Sequence, residues 1–550
     1  MFPSAREYLR EKLKTALDKL GIQLDGIDLT FDKPKNEQFG DFATNIAMLI
    51  AKKVGKAPRE IAGEIVANLD IEPELIEKVE VAGPGFINFK LTPKFYIRRI
   101  YEILNQGENF GRLTIGKGKK ANVEFVSANP TGPLTVGHGR NAVLGDTIAN
   151  ILEWVGYDVT REYYFNNAGR QMKILADSIR LRYLELLGEK IDYPEEYYQG
   201  EYIKDIAKML LEEYGDSLKN ESDLRIFKEK GESVIFDDIK KTLERLGIKF
   251  DVFYNEDWLY EKKIWDVVSE LEKLGYVYEK DGAKWFMATK LGGEQDKVLV
   301  KSTGEPTYRL PDIAYHIEKF KRGFDLIIDV FGADHIAEYP DVLRALDALG
   351  YDISKVKVLI YQFVTIVKDG EVVKMSTRKA NYITLDELID EVTPDVVRFF
   401  FLNRSRDAHL NFDLNLAKKQ SEENPVYYLQ YAHARIASIL RFAKDSGIKV
   451  EKIDSANIEL LREKEEVDLA KLLGEFPDVV EVAYLSLEPL KIINYLNEVA
   501  EAFHRFYHRH RVVNSSDMDL TFARLSLCLA TKIVIANGLK ILGISRPEKM

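Results

Sequence analysis

The chain has 550 residues, 46% of them hydrophobic, which is enough for about three to four domains with their own cores and excludes a disordered chain. One cysteine, Cys528, excludes an internal disulfide and a cysteine-rich zinc site, so a reducing compartment is expected and no structural metal is predicted. Net charge is −11, against non-specific coating of nucleic acid, yet residues 502–550 carry +5 and leave −16 on the remainder, so a local basic surface stays open.

The N-terminal MFPSAREYLREKLKTALDKLG mixes charges with apolar residues at helical spacing and reads as a helix, not a signal peptide. Helices are predicted over 6–20, 41–54 and 58–69, followed by the alternating GFINFKL at 85–91, which makes residues 1–110 a small α+β domain. The basic GRLTIGKGKK at 111–120 reads as a linker. It matches G-x-x-x-x-G-K, but Gly118 stands where Ser or Thr should hold Mg²⁺, and no apolar strand precedes it.

From Ala121 the pattern repeats strand, turn and helix: ANVEFV before a helix after Gly137, YDVTREYY before one from Ala168, DLIIDVF before one from Ile336, then KVKVLIY. Such alternation predicts an α/β fold with a doubly wound parallel sheet over 111–415, with ligands at the carboxyl ends of the strands. Residues 188–300, charged and mostly helical, read as an insertion that splits this sheet. After Phe412 helical signals run to the end, so residues 416–550 form an all-α bundle. The apolar stretch 525–544 carries Lys532 and Lys540 and reads as a bundle helix rather than a membrane span. A cytoplasmic protein is expected, with no membrane partner.

Two segments carry chemistry. SANPTGPLTVGHGRNAVLGD, at 127–146, follows ANVEFV directly, and Gly137 removes a side chain where a purine could lie against the backbone. His138, Thr135 and the amides of a helix N-terminus would face a phosphate. The plainer reading is a strand-to-helix turn with a capping histidine. The second segment, KDGEVVKMSTRKANYITLDELIDEV at 368–392, runs from two hairpin-like arms into a loop with Lys374, Arg378 and Lys379. A helix capped at Thr384 with Glu387 three residues on follows. Three cations suit a departing pyrophosphate; the plainer reading is a solvated turn.

In these positions the two segments resemble the signatures of class I aminoacyl-tRNA synthetases. VEFVSANPTGPLTVGHGR, PTYRLPDIAYH, FGADH, KMSTRKA, RFFFLNRSRDAHLNFDL and NPVYYLQYAHARI narrow the resemblance to the arginyl members of that class. FGDFATNIAM and EVAGPGFINFKL are similar to their additional N-terminal domain. The resemblance implies that L-arginine and ATP, with Mg²⁺, form arginyl-adenylate and pyrophosphate, and that the arginyl group passes to the terminal ribose of tRNA(Arg).

It implies catalytic roles for Thr135, His138, Lys374 and Arg378, and ATP contacts for Pro130, Gly137, His138, Asp334, His335, Met375 and Ser376. Glu124 and Asp312 would hold the guanidinium, Tyr308 would pack beside them, and Ser127 and Asn129 would take the α-amino group. Glu124 interrupts an apolar strand, where an unpaired carboxylate is costly; pairing with an internal lysine is the alternative. Without the resemblance Tyr308 and Asp312 read as turn residues near two prolines, and Asp334 as a helix cap.

Three departures stand out. Thr135 replaces the first signature histidine, Thr377 replaces the second lysine of the loop while Gly132 sits where some arginyl enzymes place one instead, and Ile336 follows His335 where a second histidine is common. Which loop cation takes over is open among Lys374, Arg378 and Lys379.

Near the end, AEAFHRFYHRHRVV at 500–513 interleaves Arg505, Arg509 and Arg511 with Phe503, Phe506 and Tyr507. Cations would meet phosphates and rings would stack on anticodon bases; alternatively the rings face the core and the cations face solvent. The resemblance gives this bundle to the anticodon and the N-terminal domain to the elbow of the tRNA, in a monomer. Two rivals remain: a T-x-G-H nucleotidyltransferase of the same superfold, and a tRNA-binding paralogue without catalysis.

Overall fold

The computed structural model describes residues 2–24, 26–34, 36–167, 169–373, 383–449 and 456–550, apart from the side chains of Glu37 and Asp334. Five strands lie side by side in the order Val356–Tyr361, Leu326–Gly332, Lys120–Glu124, Asp158–Phe165 and Val252–Asn255, all parallel. Helices cover both faces, which is why Val123, Ile327 and Ile328 are fully buried. The winding reverses on either side of Lys120–Glu124, so a crevice opens at the carboxyl end of that strand.

The helix Val136–Trp154 leaves this crevice and packs tightly. A methyl group on Gly145 would meet Phe125 Cβ at 2.3 Å, and one on Gly139 would meet Leu385 Cδ1 at 2.6 Å. Asn141 on the same helix accepts a hydrogen bond from Val126 N–H at 2.6 Å and donates to the Val330 carbonyl at 2.9 Å. It thereby fastens the ends of two neighbouring strands. Val126 and Ser127, at φ 65° and 42°, hold left-handed backbone there, a conformation non-glycine residues adopt only where surroundings enforce it.

The mostly helical insertion expected over 188–300 is corrected by the structure. Helices Glu201–Tyr214 and Arg225–Arg245 come first, but Val252–Asn255 then returns to the central sheet as its edge strand. Val277–Lys280, Ala283–Phe286 and Lys297–Val300 form a separate antiparallel sheet. These strands span four residues each, too short and too charged to show a period. Within the helix expected over 41–54, Phe42–Thr44 is a strand antiparallel to Phe86–Leu91, and the helix is Ile46–Val54. Gly40, at φ +89°, lets the chain pass Phe89, whose carbonyl oxygen would lie 2.4 Å from any Cβ. The helix expected from Ile336 begins at Tyr339, after a 3₁₀ turn at Ala333–His335.

The N-terminal helices and the sheet of Phe42–Thr44, Phe86–Leu91 and Ile76–Ala82 enclose their own core. The central sheet and the C-terminal helices share another. The helix Met518–Ile541 is long and apolar enough to cross a membrane, and most of its apolar stretch is buried within the bundle. Cys528 on it is fully buried, and burial pushes its thiol up to about 12.

The N-terminal unit meets the bundle through ion pairs between Lys33 and Glu475 and between Lys471 and Asp41. Arg6 Nε approaches Asp478 at 3.8 Å, and burial pushes the Asp478 carboxyl up to about 6 despite that cation.

Candidate active site

Parallel register sets Asp329, Glu124 and Glu162 directly abreast on three adjacent strands, all buried. Three carboxylates at strand spacing would repel one another without counter-charges. The helix Arg309–Lys321 and the residue after it supply them. Lys319 Nζ, fully buried, lies 2.6 Å from both Glu124 Oε2 and Asp329 Oδ1. Arg322 grips Glu162 with two nitrogens, and Tyr315 donates to the same carboxylate.

His316 bonds Asp329 Oδ2 through Nε2 at 2.9 Å and the Asp312 carbonyl through Nδ1 at 2.8 Å, so both ring nitrogens must be protonated. Burial opposes this charge, and Asp329 outweighs it and raises the imidazole above its usual value. Burial likewise opposes ionisation of Glu162, and Arg322 holds it below the usual carboxylate range. The three acids are thus matched by Lys319, Arg322 and His316.

Above this row lies a cavity of about 520 Å³, at the carboxyl edge of the sheet. His138 lines it from the first turn of Val136–Trp154. The Thr135 backbone N–H donates to His138 Nδ1 at 3.1 Å, with the Thr135 hydroxyl 3.2 Å from the same nitrogen. Nδ1 is therefore an acceptor, and Nε2 carries the proton. Thr135, expected to face the phosphate itself, orients the histidine instead and does not line the cavity. Among the described residues a Cβ on Gly137 would meet only Thr135 Oγ1, at 3.6 Å, so none of them fills the room left by the missing side chain. Pro130 is not among the lining residues.

Glu124, Ser127, Asn129, Tyr308, Asp312 and His335 all reach the cavity. Several of them already hold protein partners. Glu124 is held by Lys319 and by the Ser127 hydroxyl at 3.0 Å, and Ser127 also accepts Tyr164 N–H at 3.1 Å. The internal lysine weighed as an alternative partner for Glu124 is Lys319. Asn129 donates to Gln171 at 2.6 Å, and Tyr308 stands at the mouth, 69% exposed. Asp312 sits not on a loop but in the first turn of Arg309–Lys321, where burial pushes its carboxyl up to about 6.

His335 packs on Phe331 with ring centres 5.5 Å apart, while the Asp334 side chain lies outside the described part. Lys374, Met375, Ser376 and Arg378 also lie outside the described residues. The chain beyond them returns to the first signature segment: Thr384 pairs with Thr135, and Leu385 N–H donates to the Leu134 carbonyl at 2.8 Å. Thr384 and Glu387 form the expected capping box. The two signature segments therefore abut.

Sequence reasoning missed Tyr164, Gln171, His316, Asp329 and Glu256. Asp329, like Glu124, interrupts an apolar strand, a signal that was available in DLIIDVF. Glu256 carried none, lying in an unremarkable charged stretch.

A second cavity, of about 1100 Å³, opens on the C-terminal bundle. Tyr507, Arg509 and Arg511 line it with Tyr428, Arg435 and His504. Arg435 donates to the Tyr507 hydroxyl at 3.0 Å. Phe503 and Phe506 are fully buried in the core, so of the three expected stacking rings only Tyr507 reaches the groove. Arg505 lies outside the lining and pairs with Glu501 at 2.7 Å, and Arg509 pairs with Glu465.

Residues 7–91 match the arginyl tRNA synthetase N terminal domain, 99–412 the catalytic domain of class I (R) tRNA synthetases, and 429–550 the DALR anticodon binding domain. The arginine–tRNA ligase of Chlorobaculum tepidum is 54% identical over 552 residues, covering 99% of this chain and 100% of that protein. That of Chlorobaculum parvum is 53% identical over 555 residues, with coverage of 99% and 100%. The arginyl-tRNA synthetase structure from Thermus thermophilus shares the fold with a TM-score of 0.77 at 23% identity, covering 99% of this chain and 100% of that one. The chain belongs to the arginyl-tRNA synthetases, the class I family of arginine–tRNA ligases.

Proposed function

We propose that the cavity at the sheet edge activates L-arginine with ATP, brought as its Mg²⁺ complex, and then esterifies the terminal adenosine of tRNA(Arg). The arginine carboxylate attacks the α-phosphorus in line, pyrophosphate leaves, and a ribose hydroxyl then takes the acyl group with release of AMP. No protein nucleophile is needed, so the chain's residues position reactants and steady charge. His138, with its proton on Nε2, donates to a phosphate oxygen, and Thr135 keeps it in that tautomer. Gly137 leaves room for the adenine, and Pro130, Asp334, His335, Met375 and Ser376 surround the nucleotide. Lys374 and Arg378 steady the leaving pyrophosphate.

Asp312 meets the guanidinium directly, Tyr308 closes over it, and Asn129 takes the α-amino group. Glu124 and Ser127 act from beneath, since their side chains already hold one another. The observation that carries this reading is the abutment of Thr135 and Thr384, which sets the described ends of both signature segments side by side, next to a cavity lined by Glu124, Asp312, Glu256 and Asp329.

Residues 1–110 and 416–550 hold the tRNA, the latter at the anticodon through Tyr507, Arg509, Arg511 and Arg505. Residues 111–415 carry the chemistry, in a cytoplasmic monomer. Pyrophosphate exchange with each amino acid, with and without tRNA, tests the reading: exchange with arginine alone, dependent on tRNA, is expected. Exchange indifferent to amino acids would favour the nucleotidyltransferase, and none at all the inactive paralogue.

A further inference from the structure

Two residues beyond His138, on the same helix Val136–Trp154, Arg140 is fully buried, with 1% of the residue exposed. All of its hydrogen bonds go to backbone carbonyls. Nη1 donates to Gln362 at 2.5 Å and to Ala408 at 3.1 Å, and Nη2 donates to Ser405 at 2.9 Å. Among the described residues no carboxylate lies within ion-pair distance of this guanidinium. Glu488 and Asp407, the acids that bear on it, are engaged by the Ser405 hydroxyl at 3.3 Å and by Arg406 Nε at 3.8 Å. Burial pushes Arg140 down to about 10. A buried cation without a counter-ion is costly, and an apolar side chain of similar volume would avoid that cost. What only a guanidinium offers is a rigid planar fork of five donors.

The three carbonyls belong to two turns. Gln362 lies between Val356–Tyr361, the outer strand of the central sheet, and Val364–Lys368. Ser405 and Ala408 precede Leu410–Asp413, which pairs in parallel with Val364–Lys368, Val364 opposite Leu410. The turns are also tied to each other, Gln362 N–H donating to the Arg406 carbonyl at 2.9 Å and Leu410 N–H to the Phe363 carbonyl at 3.1 Å. Val364–Lys368 then pairs antiparallel with Glu371–Val372, and Val373 N–H donates to the Ile366 carbonyl at 2.9 Å, one residue before Lys374. Tyr361, next to Gln362, lines the cavity together with His138. Arg140 therefore joins the helix of the first signature segment to the root of the strands from which the second extends.

We propose that Arg140 is a positioning residue for the phosphate end of the reaction, holding Tyr361 and the strands of the second signature segment at one distance from His138. The inference rests on the ATP-dependent reading of the cavity and names what keeps its two signature segments in register.

The arginine end is built separately. Asp312 stands on Arg309–Lys321, Tyr308 precedes that helix, and Glu124 is held by Lys319; among the described residues none of them bonds to Arg140. Loss of the fork should therefore disturb ATP and pyrophosphate and spare arginine. A misplacement of about 1 Å between reacting groups costs about 10²-fold in rate, which sets the scale of the effect.

Arg140→Met and Arg140→Lys, made in the full chain, test this by arginine affinity from calorimetry, by kcat and the KM values for ATP and pyrophosphate in arginine-dependent exchange with tRNA present, and by thermal midpoint. Arg140→Met should bind arginine within about twofold of wild type, while kcat falls about 10²-fold and the KM for pyrophosphate rises about fivefold. Arg140→Lys, which keeps a cation but loses the fork, should recover part of both. A fall in kcat with both KM values unchanged, in step with a lowered thermal midpoint, overturns the inference, because a merely structural arginine would only reduce the folded fraction. Exchange within about threefold of wild type overturns it too, as does an arginine affinity that falls as far as the KM for pyrophosphate rises. If Arg140→Met does not fold, the same comparison is read from Arg140→Lys, whose kcat should fall about tenfold. Failure of the wild-type protein to support arginine-dependent exchange would instead sink the reading of the cavity itself.

Discussion

The acidic end of the catalytic cavity and the basic groove on the C-terminal bundle use charge in opposite ways. Beneath the cavity the ions are sealed: Lys319 and Asp329 have no exposed side-chain surface. On the bundle, the Arg505 and Arg509 side chains are 53% and 66% exposed and borrow partners, Glu501 and Glu465, that an incoming phosphate can replace. Losing one member of a buried set strands the others, whereas exchanging partners in water changes little. The first arrangement fixes one geometry; the second adapts to a large ligand.

The sharpest way to break this comparison is Lys319→Met. It leaves Glu124 and Asp329 buried without their common cation and should destabilise the chain by about 3–5 kcal/mol in urea unfolding, with a collapse in arginine affinity. A loss below 1 kcal/mol would mean that the row tolerates an unpaired acid.

Next in size, His138→Ala should slow arginyl-adenylate formation about 10²–10³-fold in pyrophosphate exchange while leaving arginine binding intact. A rate within threefold of wild type would remove His138 from the chemistry.

Asp478 asks whether burial alone sets the cost, far from the active site. Its folded carboxyl, raised to about 6 from 3.8, contributes stability only while protonated, and that contribution is lost as pH rises through 6. Asp478→Asn should then stabilise the chain by about 1–2 kcal/mol at pH 8 and by little at pH 4, read from thermal midpoints across that range. Equal effects at both ends would refute it.

Smallest, Arg509→Glu should weaken tRNA about tenfold at low salt and flatten the salt dependence, with arginine affinity untouched. An unaltered salt slope would place the tRNA elsewhere.

Much of the central sheet was legible because ANVEFV, YDVTREYY, DLIIDVF and KVKVLIY are long enough to show apolar runs between turns. Val252–Asn255 was hidden because four residues carry no period and its neighbours are charged. Glu124 was legible as an anomaly, a carboxylate in a strand. Its partner Lys319 was not: helical residues Lys319 and Lys321 look alike in sequence, and only the packing buries one while the other side chain stays 62% exposed. His138 was found by its turn, but the role of Thr135 as its orienter depends on a 3.1 Å contact that no pattern encodes. Phe503 and Tyr507 sit one helical turn apart, yet one is core and the other lines the groove, while Phe506 beside Tyr507 is core again.

The solitary thiol has a practical consequence. Maleimides attack thiolates, and Cys528 is both inaccessible and held protonated far above neutral pH. The native chain is thus optically silent toward such reagents. A cysteine placed at exposed Ser302 on the inserted sheet, paired with one at exposed Ser446 on the bundle, would carry a donor and an acceptor dye with no background labelling to subtract. The distance between inserted sheet and bundle could then be followed, molecule by molecule, as tRNA is taken up and discharged.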